Sequence, residues 1–229
     1  MTLQVNDLDR RDAAPILGSY IEVQDGLPKL YRGFGKRAFD VVLVLLSAPI
    51  VVPIVLFLAV LVAMDGHNPF YVQNRVGRHG RIFRIYKLRT MIPNAKASLS
   101  DYLARNSAAR EEWEVNQKLR HDPRVTRLGQ FLRNTSLDEL PQLLNVLKGD
   151  MSLVGPRPMM IEQMPLYPDQ AYYLLRPGIS GSWQVSDRNG SSFAARATFD
   201  SHYNRDMSFL LDVSIIVRTL VVVLRGTGC

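Results

Sequence analysis

Two adjacent carboxylates, Asp138 and Glu139, stand in the stretch Ser136-Leu-Asp138-Glu139-Leu-Pro141-Gln142-Leu143, in the first turn of a predicted helix. Unpaired backbone N–H groups and the positive end of the helix dipole favour an ionised carboxylate there. Such a carboxylate can act as a nucleophile or a metal ligand, and a neighbouring pair can divide the two roles. One would attack phosphorus while Mg²⁺ on the other neutralised the diphosphate of a substrate. The same residues also read without chemistry. Ser136 and Glu139 have capping-box spacing, Leu140, Leu143, Leu144 and Leu147 follow at helical period, and Gly149 is a natural helix stop.

Cations flank this pair along the chain. Arg124, Arg127 and Arg133 precede it, and Arg157 follows in Val154-Gly155-Pro156-Arg157-Pro158. A proline on each side of Arg157 stiffens its backbone, which suits a rigid phosphate contact; an ordinary loop arginine fits the same pattern. Arg176-Pro177-Gly178 and Asp187-Arg188-Asn189-Gly190 are turn signals, each with a basic residue. The four histidines have no zinc-ligand spacing, and no Gly-rich P-loop or dinucleotide fingerprint occurs. The single cysteine, Cys229, excludes a disulfide framework within the chain, fits a reducing compartment and is not followed by a prenylation signal.

The elements that must position these groups come next. A chain of 229 residues suffices for one domain with a sizeable core. Lysine plus arginine exceed aspartate plus glutamate by 28 − 21 = 7, which points to polyanionic partners: nucleic acid, an anionic membrane surface or phosphorylated substrates. The stacking aromatics that single-stranded nucleic acid would need are not interleaved with the basic residues, so nucleic acid is not expected as a partner.

Residues Val41 to Met64 form a run of 24 without a charge. As a helix it would reach about 36 Å, enough to span a hydrocarbon core. It starts too late and runs too long for an ordinary signal peptide. Pro49 and Pro53 lie in its middle, where each removes a backbone donor. Basic residues stand on both sides: Lys29, Arg32, Lys36 and Arg37 before it, and Arg75, Arg78, Arg81, Arg84, Lys87, Arg89 and Lys96 after it. Basic flanks stay in the cytoplasm, which a helix broken at Pro49–Pro53 that dips in and returns allows and a single crossing does not. Ser47 is available to satisfy a carbonyl freed at the break.

Residues 1–30 read as a flexible N-terminal arm, 31–66 as the re-entrant membrane hairpin, and 67–229 as a catalytic domain. Within the last, Arg75 to Met91 predicts a β-hairpin turning at Arg78-His79-Gly80, and Asn94 to Arg120 predicts one or two surface helices. Phe209 to Leu224 is apolar but short for a span and contains Asp212 and Arg218. Ser214, Arg218 and Arg225 share a stripe, so it reads as an interfacial amphipathic helix or as a core helix.

Several ordered motifs, from about Lys36 to Gly226, resemble those of a known family, the bacterial sugar transferases or monotopic phosphoglycosyl transferases. They are Lys36-Arg37-Ala-Phe39-Asp40, Gln73-Asn-Arg75-Val-Gly77, Tyr86-Lys87-Leu-Arg89-Thr90-Met91, Asp122-Pro123-Arg124-Val-Thr126, the Ser136–Leu143 stretch, Gly149-Asp150-Met151-Ser152-Leu-Val-Gly155-Pro156-Arg157-Pro158, and Arg176-Pro177-Gly178-Ile-Ser-Gly181. The short form looks most like exopolysaccharide-initiating galactosyl or glucosyl phosphate transferases. The resemblance implies a mostly helical, membrane-associated α/β fold: a re-entrant helix-break-helix, a small β-hairpin, catalytic helices and amphipathic interfacial helices.

It further implies a ping-pong reaction at the cytoplasmic face of the bacterial inner membrane. Asp138 would attack the β-phosphorus of a UDP-sugar, release UMP and pass the phosphosugar to undecaprenyl phosphate. Glu139 would bind Mg²⁺. Lys87, Arg133, Arg157 and Arg188 match positions thought to hold phosphates or nucleotide; Arg89, in the motif of Lys87, is counted with them, and Asp212 falls at a matching acidic position. The family break falls at the proline matching Pro53, although Val52 stands where the family often has Ser, and Asp187 where it usually has Gly. A UDP-N-acetylhexosamine donor, a non-catalytic membrane-tethered binding protein and a phosphohydrolase are the competing readings, and a homodimer stays open.

Overall fold

The computed structural model describes residues 30–116, 119, 121–186 and 193–224. Of the sequence expectations, the N-terminal arm up to position 29 and the loop with Asp187 and Arg188 lie outside the described residues, as do Arg225 and Cys229.

A π-helical turn, Tyr31–Gly35, leads into α1, Lys36–Ala63. The stretch from Tyr31 to Ala63 is the one helix, among the described residues, long and apolar enough to cross a membrane. Only 11% of its most apolar part is buried, unlike the core helix of a soluble protein. The backbone stays helical through Pro49 and Pro53, so the expected break is absent as a gap in the helix. Each proline removes one donor and the neighbouring bonds carry the helix on. Ser47 does not serve as expected: its hydroxyl donates to the carbonyl of Val44 at 2.9 Å, whereas the carbonyl that Pro49 frees belongs to Leu45.

Burial along α1 is confined to its two ends. Lys36, Asp40 and Val44 are buried near the start, and Leu58, Ala59 and Val62 near the finish. Between them Leu45, Leu46, Ile50, Val52, Ile54, Leu56 and Phe57 are exposed. At the first end Val44 packs with Phe83, Ile85, Val146 and Met151. At the second, Leu58, Ala59 and Val62 pack with Leu88 and Leu132.

The predicted hairpin is present and begins earlier than expected: β1, Phe70–Val76, pairs antiparallel with β2, Ile82–Leu88, across a 3₁₀ turn at Arg78–Gly80. The predicted surface helices are two, α2 (Ala95–Arg105) and α3 (Ser107–Asn116), divided where Asn106 is extended and its side chain caps α3 by accepting from the Ala109 amide at 3.0 Å.

Helix α4, Arg127–Asn134, opens on a Thr126 cap that accepts from the Gly129 amide at 2.9 Å. A 3₁₀ segment, Leu137–Gln142, continues into α5, Leu143–Lys148, which ends at Gly149 with φ 87°, the left-handed stop that glycine adopts without strain. Then come β3 (Ser152–Val154), a second 3₁₀ segment (Ile161–Leu166), α6 (Ala171–Leu174), β4 (Gly178–Ser180) paired parallel with β3, α7 (Arg196–Asp206) and α8 (Phe209–Leu224).

Helix α8 packs as a core helix on one side and leaves an apolar face exposed on the other. Asp212 and Ile215 are buried on one side, with Ile215 in a cluster with Val154, Leu175, Tyr203 and Met207. Phe209, Leu210, Val217, Leu220 and Val221 are exposed on the other. A face so apolar left open to its surroundings suits a membrane interface.

Candidate active site

The turn after α4 creates the site. Thr135 and Ser136 close α4 by donating their amides to the carbonyls of Phe131 and Arg133. Ser136 then takes a left-handed conformation, φ 56° and ψ 17°, which reverses the chain into the 3₁₀ segment that carries Asp138 and Glu139. The capping box expected from Ser136 and Glu139 is not made. An N-cap residue needs extended backbone, and the Ser136 side chain makes no capping bond. Pro141, which has no N–H to give, sits inside the short segment.

A buried amide fixes this segment on the hairpin. Asn145 accepts from the Tyr86 amide at 3.1 Å and donates to the Arg84 carbonyl at 2.6 Å, as a neighbouring strand would. Along β2 the side chains of Phe83, Ile85 and Lys87 share one face. The first two enter the core beside Val146 and Met151, so Lys87 continues that face over the 3₁₀ segment. Its Nζ lies 2.6 Å from Glu139 Oε1 and 3.8 Å from Asp138 Oδ2.

Two more cations arrive as the sequence predicted. Arg157 reaches Glu139 Oε1 at 3.5 Å. Its loop is pinned by bonds from the Gly155 amide to Ser180 and from the Gly178 amide to Pro156, each 2.8 Å. Arg133, in the last turn of α4, donates to Thr90 Oγ1 at 2.9 Å, and its charge acts on Asp138.

Other expected residues go elsewhere. Arg89 does not join the pair: it binds both Asp65 oxygens and the carbonyls of Val62 and Asn68, closing the end of α1. Asp212 is fully buried and accepts from Tyr31, Lys36 and Tyr203, each at 2.6 Å. It locks the start of α1 to α7 and α8, and its full burial leaves no surface of it open toward the carboxylate pair. Arg124 is held by Asp122 and stacks 5.7 Å from the Trp113 ring centre, and Arg127 is exposed. Arg188 lies outside the described residues.

Sequence reasoning missed three groups. Arg75 donates to the Pro158 carbonyl at 3.2 Å and to Gln73 at 2.7 Å, and its charge acts on Glu139. Its signal is the Gln73–Gly77 motif, which carries the family resemblance but gives Arg75 no site role. Thr90 stands in the Tyr86–Met91 motif, yet it and Asn145 act through partners distant in sequence that local pattern does not reveal.

The carboxylates do not share one state. Burial pushes the Asp138 carboxyl above its ordinary value, with Lys87 opposing and the negative Glu139 adding to the rise. The dipole argument from sequence therefore gives way to desolvation. Burial would raise Glu139 as well, but Lys87, then Arg157 and Arg75, outweigh it and hold this carboxyl well below the usual range. Asp138 accepts no hydrogen bond from the described residues. Glu139 is thus a fixed anion among cations, and Asp138 a carboxylate with lone pairs to spare, the division of roles that a nucleophile and its electrostatic partner need.

The chain is similar to known proteins over most of its length. The chain is 45% identical over 210 residues to the undecaprenyl-phosphate galactose phosphotransferase of Salmonella typhimurium, spanning 91% of this chain and 44% of that protein. It is 42% identical over 212 residues to the exopolysaccharide production protein ExoY of Sinorhizobium fredii, spanning 91% of this chain and 94% of ExoY. A third relative, 34% identical over 213 residues, is a UDP-N-acetylgalactosamine-undecaprenyl-phosphate N-acetylgalactosaminephosphotransferase of Aeromonas hydrophila; it is matched over 88% of this chain and 46% of its own length. The chain spans less than half of the Salmonella relative. Residues 31–226, which include every group at the carboxylate pair, match the bacterial sugar transferase family, and the chain belongs to that family.

Proposed function

We propose that this protein transfers a hexose-1-phosphate from a UDP-sugar, galactose or glucose, to undecaprenyl phosphate. The reaction would be the first membrane step of exopolysaccharide synthesis. The observation that carries the reading is the asymmetric pair: Asp138, with no hydrogen bond among the described residues, beside Glu139 clamped by Lys87 at 2.6 Å and Arg157 at 3.5 Å. The names of the Salmonella and Sinorhizobium relatives support the substrates and the pathway.

The first half-reaction joins an Asp138 carboxylate oxygen to the sugar-bearing phosphorus. The bond from that phosphorus to the bridging oxygen breaks, and its electron pair leaves with UMP. In the second half, a phosphate oxygen of the lipid attacks the same phosphorus and releases the Asp138 carboxylate. Neither half needs a proton moved, because both nucleophiles are anions. Both bring negative charge onto negative charge, so Lys87, Arg133 and Arg157 stabilise the charge that develops.

Mg²⁺ commonly takes one or two protein carboxylates and completes its shell with water and substrate phosphate, and this pair fits that donor set. Glu139 would hold the ion, which when bound neutralises diphosphate charge. The Aeromonas relative favours one alternative within the same chemistry, a UDP-N-acetylhexosamine donor.

The exposed apolar middle of α1 and outer face of α8 support association with a bilayer, which we read as the bacterial inner membrane with the catalytic domain in the cytoplasm. The decisive test is UMP release from a panel of UDP-sugars with Mg²⁺, with and without undecaprenyl phosphate. Wild-type protein should turn over with one sugar and only with the lipid. Asp138→Asn should release none and yet melt no lower than wild type, since a neutral amide avoids the cost of burying a charge. Turnover by Asp138→Asn would remove Asp138 as nucleophile.

A further inference from the structure

Beside the carboxylate pair lies a set of arginines without matching acids. Arg196 begins α7 with its guanidinium 4.1 Å from the Trp183 ring centre and 4.8 Å from that of Phe193. Phe193 packs with Val76, Met159, Tyr172 and Tyr173, and the Val76 amide donates to the Met159 carbonyl at 3.1 Å. This platform therefore joins Arg196 to the strand end carrying Arg75 and the loop carrying Arg157. The three guanidiniums sense one another: after burial, the charge of Arg157 is the next largest influence lowering both Arg75 and Arg196.

Two observations call for an anion. The Nε atoms of Arg75 and Arg196 are buried with no acceptor among the described residues. The acids are too few: Glu139 is already clamped by Lys87, and Asp200, the acid acting on Arg196, accepts from Tyr167 at 2.6 Å and is pushed up to about 7 by burial. With Lys87 and Arg133, the three guanidiniums make five cations against three carboxyls, Glu139, Asp138 and Asp200, of which burial pushes the last two up, and unpaired buried charge is costly.

We infer that Arg75 and Arg196 complete, with Arg157, a subsite for the phosphate of the departing nucleotide, the one that does not carry the sugar. The inference rests on the transferase reading. When the bridging bond breaks, its electron pair settles on this phosphate, and guanidiniums around it take up the charge in planar, bidentate fashion. The acceptor lipid also ends in a phosphate, but the platform cluster includes no residue of α1 or α8, whereas each of the other three core clusters includes one or the other. The subsite is therefore built away from the membrane-facing helices, which favours the water-soluble nucleotide.

The test uses the full chain in lipid nanodiscs and measures binding of UMP and of undecaprenyl phosphate by calorimetry. The ligand-induced rise in melting temperature, read within each variant, separates binding from any effect on the fold. Arg196→Gln should weaken UMP by about 10- to 100-fold, the range of one charge-assisted hydrogen bond, and leave undecaprenyl phosphate unchanged. Arg75→Gln should act alike, and Arg196→Lys should recover part of the loss by keeping the charge without the fork. Unchanged UMP affinity in Arg196→Gln would overturn the inference, and so would an equal loss for the lipid. Failure of the transferase reading would appear separately, as no UMP release by wild type from any UDP-sugar. UMP affinity that depends on Arg196 would then still establish the nucleotide site.

Discussion

Lys87 is the residue on which the two carboxylates depend most. It opposes the burial that raises Asp138 and leads the cations that hold Glu139 down. Replacing it by glutamine removes the charge and keeps much of the volume. Both carboxyls must then rise, and the ionised form of Asp138 is reached only at higher pH. Because that form is the proposed nucleophile, the acid limb of the pH–rate profile should move toward alkaline pH in Lys87→Gln. UMP release at neutral pH should fall by about 10²- to 10³-fold, the usual loss on removing one preorganised charge-stabilising group. An unmoved acid limb would mean that another group sets it. The charges at this site were legible as charges, and Asp138, Glu139, Lys87, Arg133 and Arg157 meet as the sequence led one to expect. What each charge is committed to was not legible. Arg89 and Asp212 have the same residue types as the site groups, yet Arg89 closes the end of α1 and Asp212 is sealed by Tyr31, Lys36 and Tyr203. Only the fold decides which carboxylate meets which cation first.

The docking of α4 sets the distance between Arg133 and the carboxylates, and one backbone contact controls it. A Cβ at Gly129 would stand 2.0 Å from the Thr90 carbonyl oxygen. The Thr126 amide donates to that same carbonyl at 3.0 Å, so neither side can yield without breaking the start of the helix. Gly129→Ala should therefore cost about 3 kcal/mol, at the upper end for overpacking, seen as a lower urea midpoint. It should also reduce UMP release, because Arg133 sits one turn further along the displaced helix. Full stability in this variant would show that α4 can slide. Strand pairing, the two surface helices and the Gly149 stop followed from local pattern, since period and turn chemistry act over a few residues. The capping box failed because the left-handed Ser136 and the donorless Pro141 impose a 3₁₀ path that side-chain spacing does not reveal. Asn145 likewise supports β2 through partners about 60 residues away, a distance over which a single sequence carries no pattern.

On the scale of the molecule, α1 is bound to one globular unit at both ends. At its start Lys36 bonds Asp212 at 2.6 Å, Asp40 accepts from Ser152 at 2.8 Å, and Arg37 bonds the Val146 and Leu147 carbonyls. At its finish Leu58 and Val62 pack on Leu88 and Leu132, and Arg89 bonds the Val62 carbonyl. A straight crossing would carry these ends to opposite faces of a hydrocarbon core about 30 Å thick. The globular part would then have to follow through the bilayer, which its charged surface forbids. The topology we propose keeps both ends on the cytoplasmic face with the apolar middle dipped into the near leaflet, which would preserve these contacts and agrees with the basic flanks. The proposed topology can be read directly in a Cys229→Ser background. Gly33 is exposed with nothing within 4 Å of an added Cβ, and His67 is exposed beyond the other end. Single cysteines at Gly33→Cys and His67→Cys should both resist a membrane-impermeant maleimide in intact spheroplasts and both react in inverted vesicles. One cysteine reacting from each side would mean that α1 crosses, and the contacts at one of its ends would then have to be given up in the membrane.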